Sequence, residues 1–487
     1  MSTKAWDVVV MGAGGSGLAA AIEAARLGGR VLVLEKGERI GGTTGWSIGS
    51  FTSSRTPHQR RAGIADSPDA HFEDLGLFNA GKGETDNLAL RRILVDESGG
   101  TLQWLMDLGV EFVGPNPEPP HRVPRMHNVV PSSSSFGWHL MRECERLGVT
   151  VRCGWRVTEL VRDSGCVTGV QAMHSGGEEE TFLATRGVIL AAGDFAGGRE
   201  LKSQFFGPEV VNAAPVNALA TGDGIALAVR HGARIVNGGH ANAPRMRFVP
   251  GPPTWMHRLP PHRALARAIT WGWRLLPDWL MRPFVMKFIT TALGPEPTLF
   301  RCGAILVDGQ GQRIEVDLKN TALHLPLTPE NLGYIVFDAK CAMQLQSWPN
   351  FVSTAPGVAY AYLKDYRNSR KDVYAQAPTL AELAARIGAS ADALQASMDQ
   401  AGAGQQGPFY ALGPVRGYVT ITEGGIAVDT KLRVLGEGDA PIPGLYAAGS
   451  TGQGGLLLEG HGHHIGWAFV SGRLAGRQAM AAGEAAS

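Results

Sequence analysis

Residues 6–36 read WDVVVMGAGGSGLAAAIEAARLGGRVLVLEK, and this stretch decides the fold. The apolar run Val8–Met11 predicts a buried parallel strand. Gly12, Ala13, Gly14, Gly15, Ser16 and Gly17 follow, with Gly12, Gly14 and Gly17 in G-x-G-x-x-G spacing, and an Ala-rich helix is expected from about Leu18 to Leu27. A second apolar run, Val31–Leu34, ends on Glu35 and Lys36. The three spaced glycines do different physical work. The first permits the tight turn, the second lets backbone approach a pyrophosphate, and the third lets helix and strand pack closely. The helix N-terminus offers N–H groups and a partial positive charge to phosphates. Glu35 stands 18 residues beyond Gly17, where an acid can accept hydrogen bonds from a ribose. The expectation is a dinucleotide site at the start of the chain.

Length and composition set the frame around it. A chain of 487 residues supports two or three domains. Apolar content of 44 % and 18 % charge are ordinary for a globular protein, and a net charge of +1 gives no overall pull towards nucleic acid. The 65 glycines are about twice the usual frequency, as several close backbone–ligand approaches would require. Cys144, Cys153, Cys166, Cys302 and Cys341 show no ligand-like spacing, and an odd number without pattern suggests reduced thiols in a cytoplasm. MSTKAWD is no signal-peptide start, and no apolar run is long enough to span a membrane.

After Glu35 the small-residue stretch 38–50 carries Gly41, Gly42, Thr43, Thr44, Ser47 and Gly49, a loop able to lie against a flat ring system. Helices are expected near 89–108 and 135–147, a strand or hairpin over 149–161, and a proline-rich loop at 115–124. Residues 187–193, GVILAAG, read as another buried strand ending in a turn, and Thr221–Gly224 opens a helix with Asp223 in its first turn. The middle of the chain differs in character: a strand pair at 304–307 and 313–317, a strand at 334–338, and two short helices over 379–398 with Ser390 as N-cap. From Gly424 onward tight glycine turns return, with a short strand ending at Gly449 and a final helix.

The fingerprint, the GGTT loop, VILAAGDF, TGDGIALA, GAILVDGQGQR, TLAELAARIGAS, GGIAVDT and IPGLYAAGS, in that order, resemble the FAD-dependent fumarate reductase/3-ketosteroid dehydrogenase superfamily over nearly the whole chain. The resemblance implies an α/β fold: a Rossmann-like FAD-binding domain of glutathione-reductase type, residues 1–239 and 419–487, split by an inserted α+β capping domain, residues 240–418, with a helical Trp/Arg-rich insert at 255–300. It implies FAD as cofactor, with Gly12–Gly17 at the pyrophosphate and Glu35 at the ribose. Gly41–Thr44, Ser47 and Gly49 would lie along the isoalloxazine, Val157 at the adenine, and Ala192–Gly193 beside the phosphates. Lys36, Asp223, Gly449, Ser450, His464 and Ile465 complete the expected set. N–H groups of the last helix, from Gly462 to Gly466, would stabilise negative charge on reduced flavin.

Departures from the pattern bear on substrate. Where fumarate reductases carry substrate arginines this chain has Thr321 and Glu459, and Thr420–Glu423 replaces a histidine pair. Loss of those side chains removes charge needed to hold a dicarboxylate. The ketosteroid branch fits better, but its acid/base tyrosines would fall near Pro117, Thr321 and Leu458 or Glu459, and none is tyrosine.

Candidate proton carriers are Glu459 and His461 in the run EGHGHH, with Tyr418 and Tyr362, alongside Tyr360, as the other hydroxyl candidates. No metal site is expected, because no Cys/His partner cluster meets those histidines in the sequence. Between 258 and 288 basic residues mix with Trp271, Trp273, Trp279, Phe284 and Phe288, and only Asp278 is acidic. Such a segment suits either a membrane interface or a packed cap hairpin. The expected function is FAD-dependent chemistry on a CH–CH bond, desaturating or reducing a bulky apolar ketone such as a 3-ketosteroid. The alternatives are an ene-reductase of another activated alkene fed by an external donor, and a catalytically silent flavin-binding, membrane-associated protein. The expected partners are an apolar ketone and an unidentified electron acceptor or donor, with no nucleic acid, and the expected location is cytoplasmic, with or without peripheral membrane contact through 255–290.

Overall fold

The computed structural model describes residues 5–79, 86–251, 260–275, 282, 286, 290–291, 293–355 and 359–481. The fingerprint folds as its spacing dictates: strand Trp6–Met11, helix Gly15–Arg26 and strand Val31–Glu35. The first strand sits mid-sheet, parallel to Val31–Glu35 on one side (Val8 opposite Val31) and to Glu179–Leu190 on the other (Val10 opposite Ile189). Val8, Val9 and Val10 are fully buried, which is why a continuous apolar run rather than an alternating one encodes this strand. The eight-stranded sheet runs Arg433–Leu435, Pro441–Ala447, Glu179–Leu190, Trp6–Met11, Val31–Glu35, Thr150–Cys153, with the hairpin Trp155–Asp163/Cys166–His174 hydrogen-bonded to the Glu179 strand.

The last helix, His463–Ala481, packs on the fingerprint helix with bare backbone between them. A Cβ on Gly472 would meet the Ser16 carbonyl oxygen at 2.3 Å and one on Gly476 the Ala20 oxygen at 2.2 Å, so glycine sets the closeness of the two helices. The start and the end of the chain thereby build one layer.

A second, seven-stranded sheet is organised on the long strand Phe409–Val419, flanked by Gly333–Phe337, Arg245–Phe248, Tyr374–Ala377 and Ala214–Pro215. One face buries Met246, Phe248, Leu306, Ile335, Phe337 and Tyr366. The other buries Val307 and Val336 under helices Leu380–Ile387 and Ala391–Gln400, the second capped by Ser390, whose hydroxyl accepts from Ala393 N–H at 3.3 Å. The chain is a mixed α/β fold, as the sequence implied.

Two local expectations change. The GGTT loop closes into a one-turn helix, Gly42–Trp46, because Gly45 N–H finds the Gly41 carbonyl at 3.0 Å. In the 255–300 segment, residues 255–259, 276–281, 283–285, 287–289 and 292 lie outside the described residues. Within it, helix Arg263–Leu275 exposes Trp271 and Leu275, but Arg263 and Arg267 both bond Glu111, at 2.9 and 3.1 Å, and Arg282 pairs with Asp365 at 3.0 Å. Three of its basic side chains thus have acidic partners within the protein. Among the described residues no helix is long and apolar enough to cross a membrane.

Candidate active site

The cofactor cradle grows out of the fingerprint. A Cβ on Gly12 would meet the Ala191 oxygen at 2.5 Å, and one on Gly17 would meet the Gly12 oxygen at 1.9 Å, so these two glycines serve packing. Gly14 and Gly41 differ: the nearest atom to a Cβ lies at 3.9 and 4.0 Å, and beside Gly45 and Gly193 nothing lies within 4 Å. A trough lined by bare backbone therefore runs past the helix N-terminus, where the first N–H groups have no intrahelical acceptor. Gly41 N–H donates to Ala13 O at 2.9 Å and Gly15 N–H to Thr44 Oγ1 at 3.2 Å, fastening the Gly42–Trp46 turn to the fingerprint loop.

Glu35 is buried and accepts from Ala13 N–H and Gly37 N–H, both at 2.8 Å, one per carboxylate oxygen. Each oxygen keeps a lone pair for a ribose hydroxyl. Lys36 and Asp223 form an ion pair at 3.0 Å, with Thr221 bonded to both and Arg156 adding a contact to Asp223 at 3.1 Å. Val157 is buried on its strand, Thr43 accepts from Asn217 Nδ2 at 3.0 Å, and Ser47 closes its own turn onto Thr44 O and Gly49 N–H. The Gly193 carbonyl accepts from Thr451, next to Gly449 and the half-buried Ser450, and Gly449 N–H is held by Ser471 at 2.8 Å. His464 and Ile465 open the last helix.

The family model described as the FAD binding domain matches residues 7–457. The chain belongs to this family. It carries FAD. Its cradle fits the cofactor: open backbone at Gly14 and Gly193, a buried acid at the ribose position, and an N-terminal helix turn for the phosphates. NADH:fumarate oxidoreductase of Klebsiella pneumoniae is 27 % identical over 98 % of this chain, which spans only 48 % of that relative's length. The 4-oxocyclohexanecarboxylate 2-dehydrogenase of Sinomonas cyclohexanicum is 26 % identical over 99 % of this chain and 93 % of its own. Among solved structures, the open conformation of a flavocytochrome c3 fumarate reductase superposes with TM-score 0.73 at 22 % identity, covering 99 % of this chain and 79 % of that one. The 3-ketosteroid-Δ4-(5α)-dehydrogenase of Rhodococcus jostii gives 0.61 at 24 %, covering 98 % and 96 %. At these identities the two superpositions establish the fold.

The loop before the last helix holds this flavoprotein's titratable residues, and its three histidines take three different partners. His461 is half exposed, and its Nδ1 lies 2.5 Å from Glu118, which also accepts from His461 N–H at 2.9 Å. The His461 carbonyl accepts from Thr52 Oγ1 at 2.6 Å, so ring and backbone are both fixed. Burial pushes the Glu118 carboxyl up, but the hydrogen bonds and charge of His461 outweigh it and hold the group below its ordinary range. His463 is fully buried, its Nδ1 bonded to the Glu459 carbonyl at 2.6 Å. His464 Nε2 lies 2.7 Å from buried Glu423, which also accepts from Gln453. Burial pulls His464 down, yet Glu423 more than compensates and raises it.

Next to Glu423, Thr422 N–H donates to Asp194 at 2.8 Å; burial pushes that carboxyl up to about 6. Tyr418 lies opposite Arg245 on the second sheet, and burial raises its hydroxyl. Tyr362 starts helix Leu363–Ser369, where its N–H donates to Asp365 at 2.9 Å, and Tyr360 packs against Trp348 and Phe351. No hydrogen bond of Tyr362 runs to the histidine loop among the described residues.

Two sequence expectations need correction. The histidine loop does meet a partner cluster, since His71 and His121 converge on His463 from distant parts of the chain. The region of Thr420 also keeps positive charge: Arg247, mostly buried and opposite Arg416 in the strand ladder, reaches Thr420 Oγ1 at 3.5 Å. Glu118, Glu423, Asp194 and Arg247 were not singled out in the sequence. Only Glu118 had a local signal, an acid held inside the proline-stiffened loop 115–124.

Proposed function

We propose that this FAD enzyme exchanges hydrogen across the carbon–carbon bond next to the carbonyl of a bulky ring ketone, with His461 as proton carrier and Glu118 as its orienting partner. The single observation that carries the reading is the Glu118–His461 dyad. A carboxylate on Nδ1 fixes the tautomer and leaves Nε2 as the nitrogen that takes or gives a proton. The bound flavin supplies the hydride acceptor or donor. Glu423 holds His464 in place at the N-terminus of the last helix, whose dipole favours negative charge on reduced cofactor. In this reading residues 1–239 with 419–487 bind FAD and residues 240–418 cap the substrate.

The ring-ketone substrate is supported by the absent dicarboxylate arginines and by the relative named for acting on 4-oxocyclohexanecarboxylate. A second reading, reduction of an activated alkene bearing one carboxylate, is favoured by Arg247 beside Thr420. Anaerobic mixing separates the two. Saturated 3-ketosteroids or 4-oxocyclohexanecarboxylate should bleach oxidised flavin under the first reading. Under the second, only conjugated alkenes restore colour to prereduced enzyme. If neither set alters the flavin spectrum, the substrate class is wrong.

A further inference from the structure

Three imidazoles meet behind the loop that carries Glu459 and His461. His71 comes from helix Pro68–Asn79, His121 from the proline-rich loop, and His463 from the first turn of the last helix. Their ring centroids stand 5.4–5.5 Å apart, and their potential ligand atoms all lie within 4.8 Å of one another. The His71 and His463 residues are 0 % exposed, as is the His121 side chain. Phe78 covers the cluster, 4.7 Å from the His121 ring and 5.8 Å from that of His463.

The partners assign the protons. The Glu459 carbonyl can only accept, so His463 Nδ1 carries hydrogen and its Nε2 is a bare lone pair. That lone pair faces His71 Nε2 at 3.3 Å, which must donate, leaving His71 Nδ1 bare and without a partner. Arg125 can only donate to His121 Nδ1, at 2.9 Å, so the hydrogen of His121 sits on Nε2, also buried and without a partner. Protein atoms alone thus leave two ring nitrogens of this cluster unsatisfied, a cost that a buried polar atom does not carry without reason.

We propose that His71, His121 and His463 form a binding site for a divalent late first-row transition metal of zinc type. At a metal–nitrogen distance of about 2.0–2.1 Å, a tetrahedral edge is about 3.3–3.4 Å. The 3.3 Å between His71 Nε2 and His463 Nε2 is such an edge already, and the ion takes the place of the hydrogen between them, which moves to His71 Nδ1. His121 closes the third corner through Nε2. Its hydrogen moves to Nδ1, and the ring shifts from Arg125, now 2.9 Å away, to bring that hydrogen within reach of Asp74 Oδ2, at present 3.9 Å away, the carboxylate support usual for ligating histidines. His463 already has the equivalent support from the Glu459 carbonyl. Arg125 adds no unbalanced cation, being paired with both Asp66 and Asp74. Burial, followed by neighbouring charges, holds all three imidazoles below their ordinary pKa, His121 at about 4 and His463 at about 3, so their lone pairs are available at neutral pH. The ion would staple the catalytic loop to helix Pro68–Asn79, whatever substrate the enzyme takes.

The test uses untagged, FAD-loaded protein stripped with a chelator, refilled with zinc sulfate and desalted. The expected content is about one zinc per chain, with X-ray absorption showing three imidazole nitrogens at about 2.0–2.1 Å. His71→Gln and His121→Gln should each lower retained zinc at least about tenfold while flavin absorbance stays. Wild type that keeps no zinc, or whose zinc has a sulfur or all-oxygen shell, overturns the site. If either variant loses flavin, the wild-type shell alone decides.

Discussion

Replacing Glu423 with alanine tests the electrostatics at the head of the last helix. The Glu423 side chain is 4 % exposed and holds both His464 Nε2, at 2.7 Å, and the Gln453 amide. Truncation leaves the partly buried His464 imidazole and the buried Gln453 amide without their acceptor. Breaking a buried pair from one side costs about 3–5 kcal/mol. A chain of 487 residues unfolding as one unit has an unfolding entropy of roughly 1 kcal/mol/K, at about 2.1 cal/mol/K per residue. The expected fall in Tm of the FAD-loaded protein is therefore about 3–5 °C.

The pH dependence has a defined sign. Burial lowers His464, but Glu423 raises it above its ordinary 6.5, so its contribution is complete below 6.5 and fades as pH rises through the raised value. Burial raises Glu423, but His464 and Gln453 hold it below 4.5, so its contribution is complete above 4.5 and fades as pH falls through the lowered value. The pair stabilises most between about 4.5 and 6.5. Scanning fluorimetry of wild type and Glu423→Ala should show a wide gap at pH 5.5 that narrows by pH 9. A gap that is constant, or wider at pH 9, refutes the ion-pair assignment.

Further outcomes follow from the same geometry. His461→Ala should lower turnover by about 10²- to 10⁴-fold with FAD content unchanged, and Glu118→Gln should lower it less while shifting the pH–rate profile; unchanged rates in both would move the proton role to Glu459 or Tyr418. Gly14→Val should fold yet stay colourless, since its Cβ has open space where the cofactor runs, whereas Gly17→Ala should fail to fold because its Cβ would lie 1.9 Å from the Gly12 oxygen; a yellow Gly14→Val protein contradicts the cradle. Asp194, raised from 3.8 to about 6, favours the protonated native state, so its own contribution to stability should fall by roughly 3 kcal/mol as pH rises from 3.8 past 6, and the difference between wild type and Asp194→Asn should change by that amount across this range in urea titrations. Low-salt co-sedimentation with anionic liposomes should be weaker for Trp271→Ala, whose side chain is exposed on helix Arg263–Leu275; equal pelleting of both proteins, or none, removes this helix from any membrane contact.

What was legible in the sequence is what is encoded locally. Strand Trp6–Met11, its helix and strand Val31–Glu35 could be read because burial on both faces demands a continuous apolar run and the turn demands glycine at fixed offsets. The helix pair at 380–400 was legible through its N-cap, and the cradle through the glycines at 14, 41 and 193, where backbone makes the contacts. Side-chain partnerships carried no such signal. Glu118 and His461 are 343 positions apart, His71 and His463 are 392 apart, and Asp194 and Thr422 are 228 apart. Each pairing joins segments that only the tertiary fold brings together, and no local period anticipates that.

The histidine loop shows why neighbours in sequence need not share chemistry. His461, His463 and His464 lie within four positions, which in the sequence alone reads as a single cluster. Gly460 and Gly462, at φ +85° and +87°, turn the backbone through a conformation that residues with a Cβ rarely adopt, and a Cβ on Gly462 would also meet Thr52 N at 2.6 Å. Those two turns aim His461 outward to Glu118, while helix geometry from His463 onward sends that ring to His71 and the next one to Glu423. One short run therefore serves a half-exposed histidine–carboxylate pair, a buried imidazole cluster and a helix-terminal ion pair. His463 and His464 respond to pH differently, because burial lowers His463, whereas at His464 burial is outweighed by the facing carboxylate, which raises it. Substitutions in this loop should consequently separate proton transfer, metal retention and thermal stability, instead of abolishing all three together.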